Sequence, residues 1–588
     1  MAFVSKKNKL HSVLRLWLIS LTILWLHGCS TAQNTRLTEV DSANDAEASS
    51  GLHRAVSSAV EKDLDANTLA LLLQAELSAY SGEFERAGVI YGRIAQETLD
   101  PELAKRYAEV AAASGDLHVL LDATLLWYEL SPEDEGAKNL AIQALGKVGE
   151  TQGAWELIAE DPDNHLAVQV LAVETRRAEF TNQMQWLYQA INDQYGSRPT
   201  SSELLLSLTI LAEGLRLLDA AESYAIGAVA ADPVALLPTQ LHASILMQQQ
   251  RTNEAVQVVS EYASNKNASQ EDRTQIARLL ASIDQEAAVP VFTQLADEFP
   301  WSPEILLGAG QLLLSQNQLE ESEKYFMQLS QIDEQSDLAH FNLGRISEQR
   351  GQTNNALDYY YRVGEGELEF EAKLRAALLV TAENPQPNAS QYDALFNRFP
   401  ERAATIYHEQ GRALADADRP ELALQVFSEG LSEFPNNTTL LYARSVTYES
   451  EDRIEEAVTD LRTVLATDNQ NVTAMNALGY TLANRTDRYS EAHELIEQAL
   501  ALRPEDPAII DSMGWVLYRM GRYEESLQYL ERAYAAFFDE EIISHLAQVL
   551  VALDRVDEAK TLIDDSLELL PESQELQRLD LRLQNPDG

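Results

Sequence analysis

The sequence predicts an all-α protein, a right-handed superhelical solenoid of about fifteen helix pairs, of which about ten are close to a common pattern. Three observations support this prediction. Small residues recur at intervals of about 34 positions, prolines recur in the same phase, and runs of β-branched residues of strand length are scarce. A chain of 588 residues could hold several ordinary domains, but a repeat that continues over most of its length indicates stacked, similar units.

The small residues fall where a second helix would cross closely over a first. They form two series with steps of 33 to 35 residues: Ala221, Ala255, Ala288, Ser322 and Ala356, then Ala423, Ala457, Ala492, Ser526 and Ala559. Prolines 132, 233, 300, 400, 435, 504 and 571 keep the same phase. Proline suits the boundary between two units. It ends a helix, and its missing backbone N–H is not needed where the next unit starts. Weaker units are expected around Ala87, Leu120 and Gly153, and more divergent ones near Trp186 and from Phe370 to Pro400.

The segment from 476 to 534 shows the pattern most clearly. Leu478-Gly479 and Met513-Gly514 each place a large apolar residue beside a small one. Such a pair predicts a first helix with a gap over which a second helix packs, and Ser526 stands near the start of one such second helix. This arrangement resembles the tetratricopeptide repeat, whose period is about 34 residues.

The first 28 residues have the layout of a secretory signal. Four basic residues precede an apolar run from Leu16 to Leu26, and the run ends in Leu26-His27-Gly28-Cys29. This ending resembles the lipobox of bacterial lipoproteins, which implies cleavage before Cys29 and lipidation of its thiol. Ser30, where an aspartate would favour inner-membrane retention, implies an outer-membrane address facing the periplasm. An ordinary secretory signal and an uncleaved anchor are the alternatives.

The remaining chain divides into four predicted segments. Residues 29–50 are polar and without apolar periodicity, so they predict a lipidated flexible tether. Residues 51–66 carry Leu52, Val56, Ala59 and Val60 at the spacing of a short amphipathic helix, which either caps the solenoid or docks a partner. Residues 67–575 form the solenoid, and residues 576–588 form a capping helix and tail.

Charge and cysteine content exclude several classes of function. The net charge of −49 repels phosphate backbones, which excludes nucleic-acid partners, and it also repels anionic lipid headgroups. Membrane attachment is therefore expected through a covalent lipid. Cys29 is the single cysteine, so intramolecular disulfides and multi-cysteine metal sites are excluded.

The residue patterns of common active sites are absent from the sequence. His493-Glu494 lacks the second histidine of a metalloprotease motif, and no phosphate-binding loop, nucleophile elbow or calcium loop occurs. We therefore expect no enzymatic activity, no cofactor, no metal and no small-molecule substrate.

The tetratricopeptide resemblance implies that the first helix of each pair lines a concave, peptide-binding face. In the strongest units this assigns six binding candidates: Tyr480, Asn484, Asp511, Trp515, Tyr518 and Arg519. Tryptophan, tyrosine and arginine are the residue types enriched in binding hot spots. The alternative for Trp515 and Tyr518 is that they pack against the adjoining repeats. Weaker candidates of the same kind are Phe341, Arg345, His408, Arg412 and Tyr442.

The lipobox, the acidic tether and the long repeat array together resemble the LbcA-type outer-membrane lipoproteins, adaptors of periplasmic carboxy-terminal processing proteases. That resemblance implies a scaffold that recruits and activates a serine protease and presents peptidoglycan hydrolases to it. Holding enzyme and substrate together would raise their effective concentration. The alternative function is that of an assembly factor for a secretion, pilus or exopolysaccharide export machine.

Overall fold

A computed structural model describes residues 66–385 and 390–584. Over these ranges the regular structure consists of thirty-one α-helices and three short 3₁₀ turns, without a strand. The all-α prediction is confirmed. The described residues divide into two compact units, 66–329 and 330–584. The predicted signal sequence and tether, with Cys29, lie outside the described residues, as does the predicted short helix up to residue 65.

The amino-terminal unit contains eight helix pairs. Its helices are α1 (Ala66–Tyr80), α2 (Phe84–Thr98), α3 (Pro101–Ser114), α4 (Leu117–Leu130), α5 (Glu135–Val148), α6 (Thr151–Ala159), α7 (His165–Thr175), α8 (Thr181–Tyr195), α9 (Ser202–Gly214), α10 (Leu218–Ala231), α11 (Leu236–Gln248), α12 (Thr252–Ala263), α13 (Gln270–Ile283), α14 (Gln285–Glu298), α15 (Pro303–Ser315) and α16 (Leu319–Leu329). Each first helix contacts its second helix, and each second helix contacts the first helix of the next pair.

The carboxy-terminal unit contains seven pairs and a final helix. Its helices are α17 (Ser336–Gln349), α18 (Thr353–Arg362), α19 (Glu369–Glu383), α20 (Ser390–Arg398), α21 (Ala403–Asp416), α22 (Pro420–Glu433), α23 (Thr438–Ser450), α24 (Ile454–Thr467), α25 (Val472–Arg485), α26 (Tyr489–Leu502), α27 (Pro507–Arg519), α28 (Tyr523–Ala536), α29 (Glu540–Ala552), α30 (Val556–Leu569) and α31 (Gln574–Gln584). The last helix, α31, contacts both α29 and α30. The expected number of pairs is therefore confirmed within the described residues.

The small residues mark one packing position in every regular pair. All ten predicted ones are the fourth residue of their second helix and are 0% exposed. Two of them are serines, and each buried hydroxyl is satisfied: Ser322 donates to the carbonyl of Gly310 at 2.7 Å and Ser526 to that of Gly514 at 2.6 Å. The position accepts serine because a hydrogen bond compensates the desolvation of its hydroxyl.

The weaker units follow the phase with one correction. The fourth residue of α6 is Ala154, which is fully buried, so the prediction for Gly153 is one residue early. Sequence spacing misplaced it because two small residues stand side by side there. In the divergent unit near Trp186, the fourth residue of α8 is Met184. A long side chain at that place prevents the close helix crossing seen elsewhere.

Glycines of the first helices lie directly beneath the second helices. A Cβ atom on Gly479 would stand 2.5 Å from Cγ1 of Ile496, and one on Gly514 would stand 2.5 Å from Cγ of Leu530. Real Cβ atoms do not approach so closely. The large–small pairs of the sequence are therefore packing features that fix the distance between the helices of a pair.

The turn after a first helix repeats as well. In the pair α27/α28, Arg522 N–H donates to the carbonyl of Leu517, and Gly521 between them has φ +77°. This is the Schellman arrangement, which satisfies the last carbonyls of a helix and favours a residue in the left-handed region. Asp452 in the pair α23/α24 and Asp554 in the pair α29/α30 take the same conformation, which short polar side chains tolerate.

Buried carboxylates of the helix pairs are held by arginine. Four deeply buried acids have such a partner: Glu76 with Arg106, Glu213 with Arg176, Glu369 with Arg398 and Asp460 with Arg444. In the last pair the guanidinium donates to both oxygens of Asp460, at 2.7 and 2.8 Å. Such bidentate hydrogen bonds compensate for the hydration that a carboxylate loses when it is buried.

Among the described helices, none combines the length and the apolarity that a bilayer-spanning segment requires.

Candidate functional site

The predicted binding candidates lie on neighbouring first helices of the carboxy-terminal unit. Tyr480 and Asn484 are one turn apart on α25, and Asp511, Trp515 and Tyr518 follow one another on α27. Residues three or four positions apart share a helix face. First helices also contact each other, α25 with α27 and α27 with α29. We call the surface made by α23, α25, α27 and α29 the first-helix face.

Trp515 is the centre of an aromatic stack on this face. Its ring lies parallel to that of His545 on α29, with centroids 4.1 Å apart, and to that of Tyr518, with centroids 5.0 Å apart. Trp515 is only 6% exposed, whereas Tyr518 is half-buried. The geometry favours the packing interpretation for Trp515, whereas Tyr518 is the partly exposed member of the stack.

Asp511 is occupied by the same neighbour. His545 Nδ1 donates to both carboxylate oxygens of Asp511 at 3.0 Å, and the two residues are 4% and 5% exposed, respectively. An ionised carboxylate only accepts hydrogen bonds, so the Nδ1 proton is fixed on the Asp511 side of the ring. Asp511 thus orients the imidazole on which Trp515 stacks, and it is a positioning residue rather than an open contact.

Arg519 joins α27 to the preceding pair. Its guanidinium donates to the main-chain carbonyl of Asn484 at 2.9 Å and to the hydroxyl of Tyr489 at 3.1 Å. It also lies over the ring of Tyr489, 5.3 Å from the centroid. Because Asn484 contributes its backbone here, its side chain is not what holds Arg519. The half-buried guanidinium is held in a fixed position beside Tyr518.

Tyr480 reaches across the face. Its hydroxyl donates a short hydrogen bond to Glu541 on α29, and its ring centroid is 6.1 Å from that of His545. Burial raises the pKa of Tyr480, and the nearby carboxylates of Glu541, Asp511 and Glu449 raise it further. Three first helices other than its own therefore bring a carboxylate close to this phenol.

Sequence reasoning missed three residues of this face, Glu449, Glu541 and His545, and one residue beside it, Tyr489 at the start of α26. One signal was present, since Glu541 and His545 are four residues apart on one helix, as Asp511 and Trp515 are. The spacing alone does not tell which neighbouring side chains meet. Which side chains meet depends on how far successive first helices are displaced along each other, and the sequence spacing does not give that displacement.

The weaker candidates make local contacts. Phe341 packs on Tyr360 with ring centroids 5.9 Å apart. Arg412 pairs with Glu409 and with Asp416, each at 2.9 Å. Phe341 and Arg412 thus contact residues of their own pair or helix and do not extend the first-helix face, whereas the half-buried Tyr442 lies on α23 within that face.

The described residues contain no group of three or more histidine, cysteine, aspartate or glutamate side chains placed to hold a metal ion. The first-helix face thus offers aromatic edges, a fixed guanidinium and carboxylates. Tyrosine and arginine are among the residue types enriched where proteins bind one another.

Three segments of the chain match tetratricopeptide-repeat family models, residues 279–343, 442–509 and 508–536. The last of these contains Trp515, Tyr518 and Arg519. Tetratricopeptide repeats are protein-binding scaffolds and are generally non-catalytic.

Two curated proteins are similar to parts of the chain. A segment of 213 residues is 42% identical to the TPR repeat-containing protein PA4667 of Pseudomonas aeruginosa and covers 36% of each protein. A segment of 102 residues is 31% identical to the bacteriophage adsorption protein A of Escherichia coli, covering 17% of this chain and 10% of that protein. The chain thus matches about a third or less of the length of these relatives.

Among solved structures, a thermophilic TPR protein of Thermus thermophilus is 22% identical to this chain, with a TM-score of 0.28. The match covers 31% of this chain and 98% of that protein.

Proposed function

We propose that this tetratricopeptide-repeat protein is a lipid-anchored adaptor, which recruits a periplasmic carboxy-terminal processing serine protease and presents peptidoglycan hydrolases to it. The observation that carries the proposal is the first-helix face, where Tyr480, Tyr518 and Arg519 are held in place by α25, α27 and α29. The resemblance of the whole chain to adaptor lipoproteins supplies the class of partner.

An adaptor needs no chemistry of its own. A specific protein interface typically buries about 1,600 Å², or about 20–30 residues on each side. One helix pair does not offer so much, so the partner is expected to cover several successive first helices. Binding enzyme and substrate on one scaffold raises their local concentration and so accelerates cleavage without a new catalytic group.

Site-specific crosslinking tests the adaptor function. A photoreactive amino acid replaces Tyr518, and the matched control replaces Tyr361, which is 62% exposed on the second helix α18. After irradiation of whole cells, we expect the Tyr518 position to give an adduct with a serine protease of the carboxy-terminal processing class, identified by mass spectrometry. Recovery of an envelope channel without a protease would instead support an assembly factor. Equal adducts from both positions would contradict the assignment of the first-helix face as the binding surface.

The lipid anchor has a test of its own. Labelling of cells with a clickable palmitate analogue is expected to mark the protein, and Cys29→Ala should remove the label and release the protein from outer-membrane fractions, because two or more acyl chains are what makes such an anchor stable. Cys29→Ala protein that stays in the outer membrane would refute the anchor.

Purified protein incubated alone with peptidoglycan and with peptide substrates should show no turnover.

A further inference from the structure

Three carboxylates from three helices gather around Tyr480. Glu541 accepts the hydrogen bond of its hydroxyl, and Asp511 and Glu449 lie close enough to raise its pKa. Glu449 is fixed by the hydroxyl of Thr481, which donates to it at 3.1 Å. The cluster is thus built from α23, α27 and α29 around a phenol of α25.

Asp511 is buried, Glu449 is half-buried and Glu541 is exposed, and none of the three has the arginine partner that the four buried acids of the helix pairs have. Within the described part of the chain, no lysine or arginine nitrogen lies within 4 Å of Glu449, Asp511 or Glu541. Two guanidiniums of α25 and α27 have other partners: Arg485 pairs with Asp452 at 2.6 Å, and Arg519 donates to the carbonyl of Asn484. Glu449, Asp511 and Glu541 therefore carry negative charge without an ion pair to a lysine or arginine.

The half-buried position of Glu449 makes that charge costly. Burial raises the pKa of its carboxyl, and the charge of Glu541 raises it further, against the opposing effects of Thr481 and Arg485. Partly buried carboxylates are normally paired, because pairing restores the interaction that they lose with water. A cation from outside the chain would supply it here.

The neighbouring rings suit the same cation. The ring centroids of Tyr480 and His545 lie 6.1 Å apart, and the half-buried Tyr518 stacks on the buried Trp515 beside them. Ammonium and guanidinium groups are attracted to the faces of such rings. Aromatic and acidic groups together favour a basic side chain over an apolar or an acidic one.

Two buried polar atoms of the face also lack a hydrogen-bond partner. Among the described residues, Trp515 Nε1 and Asn476 Oδ1 are buried and have no hydrogen-bond partner. Asn476 stands one turn before Tyr480 on α25, and Trp515 is more than nine-tenths buried at the centre of the stack. Unsatisfied buried groups mark places where a water or a ligand completes the structure, and a peptide group offers both a donor and an acceptor.

We propose that the first-helix face binds an extended, positively charged segment of a partner protein, with a lysine or arginine side chain beside Glu449 and Glu541 at the ring of Tyr480. This inference rests on the adaptor function and names the chemistry of the segment that the adaptor holds. Charge complementarity with a face that has carboxylates and no free guanidinium selects a basic partner.

The test uses the purified full chain and a fluorescent Gly-Ser peptide that carries two lysines, with anisotropy as the readout. A second peptide has both lysines acetylated. The variant combines Glu449→Gln and Glu541→Gln. Its control combines Glu451→Gln and Glu540→Gln, which makes the same charge change beside the same two helix positions.

At about 150 mM salt, where long-range charge effects are screened, we expect the Glu449 and Glu541 variant to weaken binding by about tenfold or more and the control by about twofold or less. Acetylation of the lysines should weaken binding to the natural chain and not to the variant. Circular dichroism confirms that both variants keep their helical content.

Equal weakening by the two variants would overturn the proposal, because binding would then follow the overall acidity of the chain. Unchanged binding in the Glu449 and Glu541 variant would also overturn it, and a protease adduct at Tyr518 would then leave the adaptor function standing. Lysine-dependent binding that is lost in this variant supports the cation site even if crosslinking at Tyr518 recovers no protease, an outcome that sinks only the adaptor function.

Discussion

Buried carboxylates have different partners inside the pair α23/α24 and around Tyr480 on the first-helix face. In α23/α24, Arg444 holds both oxygens of Asp460. Across α25, α27 and α29, a carboxylate equally buried, Asp511, has only the imidazole of His545. The first arrangement is complete within the chain. The second leaves negative charge and aromatic surface unmatched, and unmatched groups on a rigid surface indicate a place for a partner.

This contrast separates stability from function. Where a guanidinium closes the interaction, the residues belong to the packing of the pair, and their loss is expected to weaken the fold. Where no guanidinium does so, loss of the charge is expected to weaken binding and to leave the fold nearly intact.

Arg444→Met should have the largest effect. It leaves the carboxylate of Asp460 buried without its partner, and breaking such a pair costs about 3–5 kcal/mol. Hydrogen exchange of the amides in α23 and α24 measures the loss, since repeat proteins open locally. The double variant Arg444→Met with Asp460→Leu should recover most of the protection. An Arg444→Met protein with natural exchange rates would show that the pair does not stabilise the fold.

Glu298→Gln should cost about 1–3 kcal/mol at neutral pH. The hydrogen bonds from Arg273 and Gln294 hold the pKa of Glu298 at about 2, below its ordinary value of 4.5. A lowered pKa means that the natural pair stabilises the fold fully above pH 4.5 and loses this contribution as the pH falls towards 2. Urea denaturation of both proteins as a function of pH should show curves that converge in acid; parallel curves would contradict the pairing.

Asp511→Asn should cost about 1 kcal/mol, because the amide oxygen still accepts the His545 Nδ1 proton and only the charge on the acceptor is lost. Local hydrogen exchange in α27 and α29 is the readout. A loss as large as that of Arg444→Met would mean that Asp511 is held as firmly as Asp460, and the contrast between the two regions would fail.

Glu449→Gln should be neutral or slightly stabilising at neutral pH, by about 0.5 kcal/mol or less. Burial raises the pKa of Glu449 in the folded chain. The folded state then binds the proton more tightly than the unfolded state, so this group's contribution to stability falls as the pH rises above its ordinary value of 4.5. The variant lacks that slope. The sign is opposite to that of Glu298, and denaturation curves at several pH values distinguish the two; a variant clearly less stable at pH 7 would show that Glu449 is compensated within the chain.

The sequence predicted the repeat and its phase because close helix crossing requires a small residue at one fixed place, as Ala492 and Ser526 show. It failed by one position at Ala154, where Gly153 was an equally good match by spacing. It also placed Tyr480, Asp511 and Tyr518 on one face, because the spacing of three to four residues defines a helix face.

The depth of each side chain was beyond the sequence. Trp515 and Tyr518 belong to the same residue class and share one turn, yet only Trp515 is covered by His545. The contact of Tyr480 with Glu541 joins residues 61 positions apart. Such contacts depend on how far one first helix is displaced along the next, and periodicity carries no information on that displacement.

The central claim is that the first-helix face is the binding surface. Hydrogen–deuterium exchange of the full chain, alone and saturated with the protease that crosslinking identifies, tests it most directly. We predict protection of the amides in the first helices α25, α27 and α29 and little change in the second helices α26, α28 and α30. Protection confined to those second helices, or no protection in either set, would contradict the assignment of the first-helix face as the binding surface.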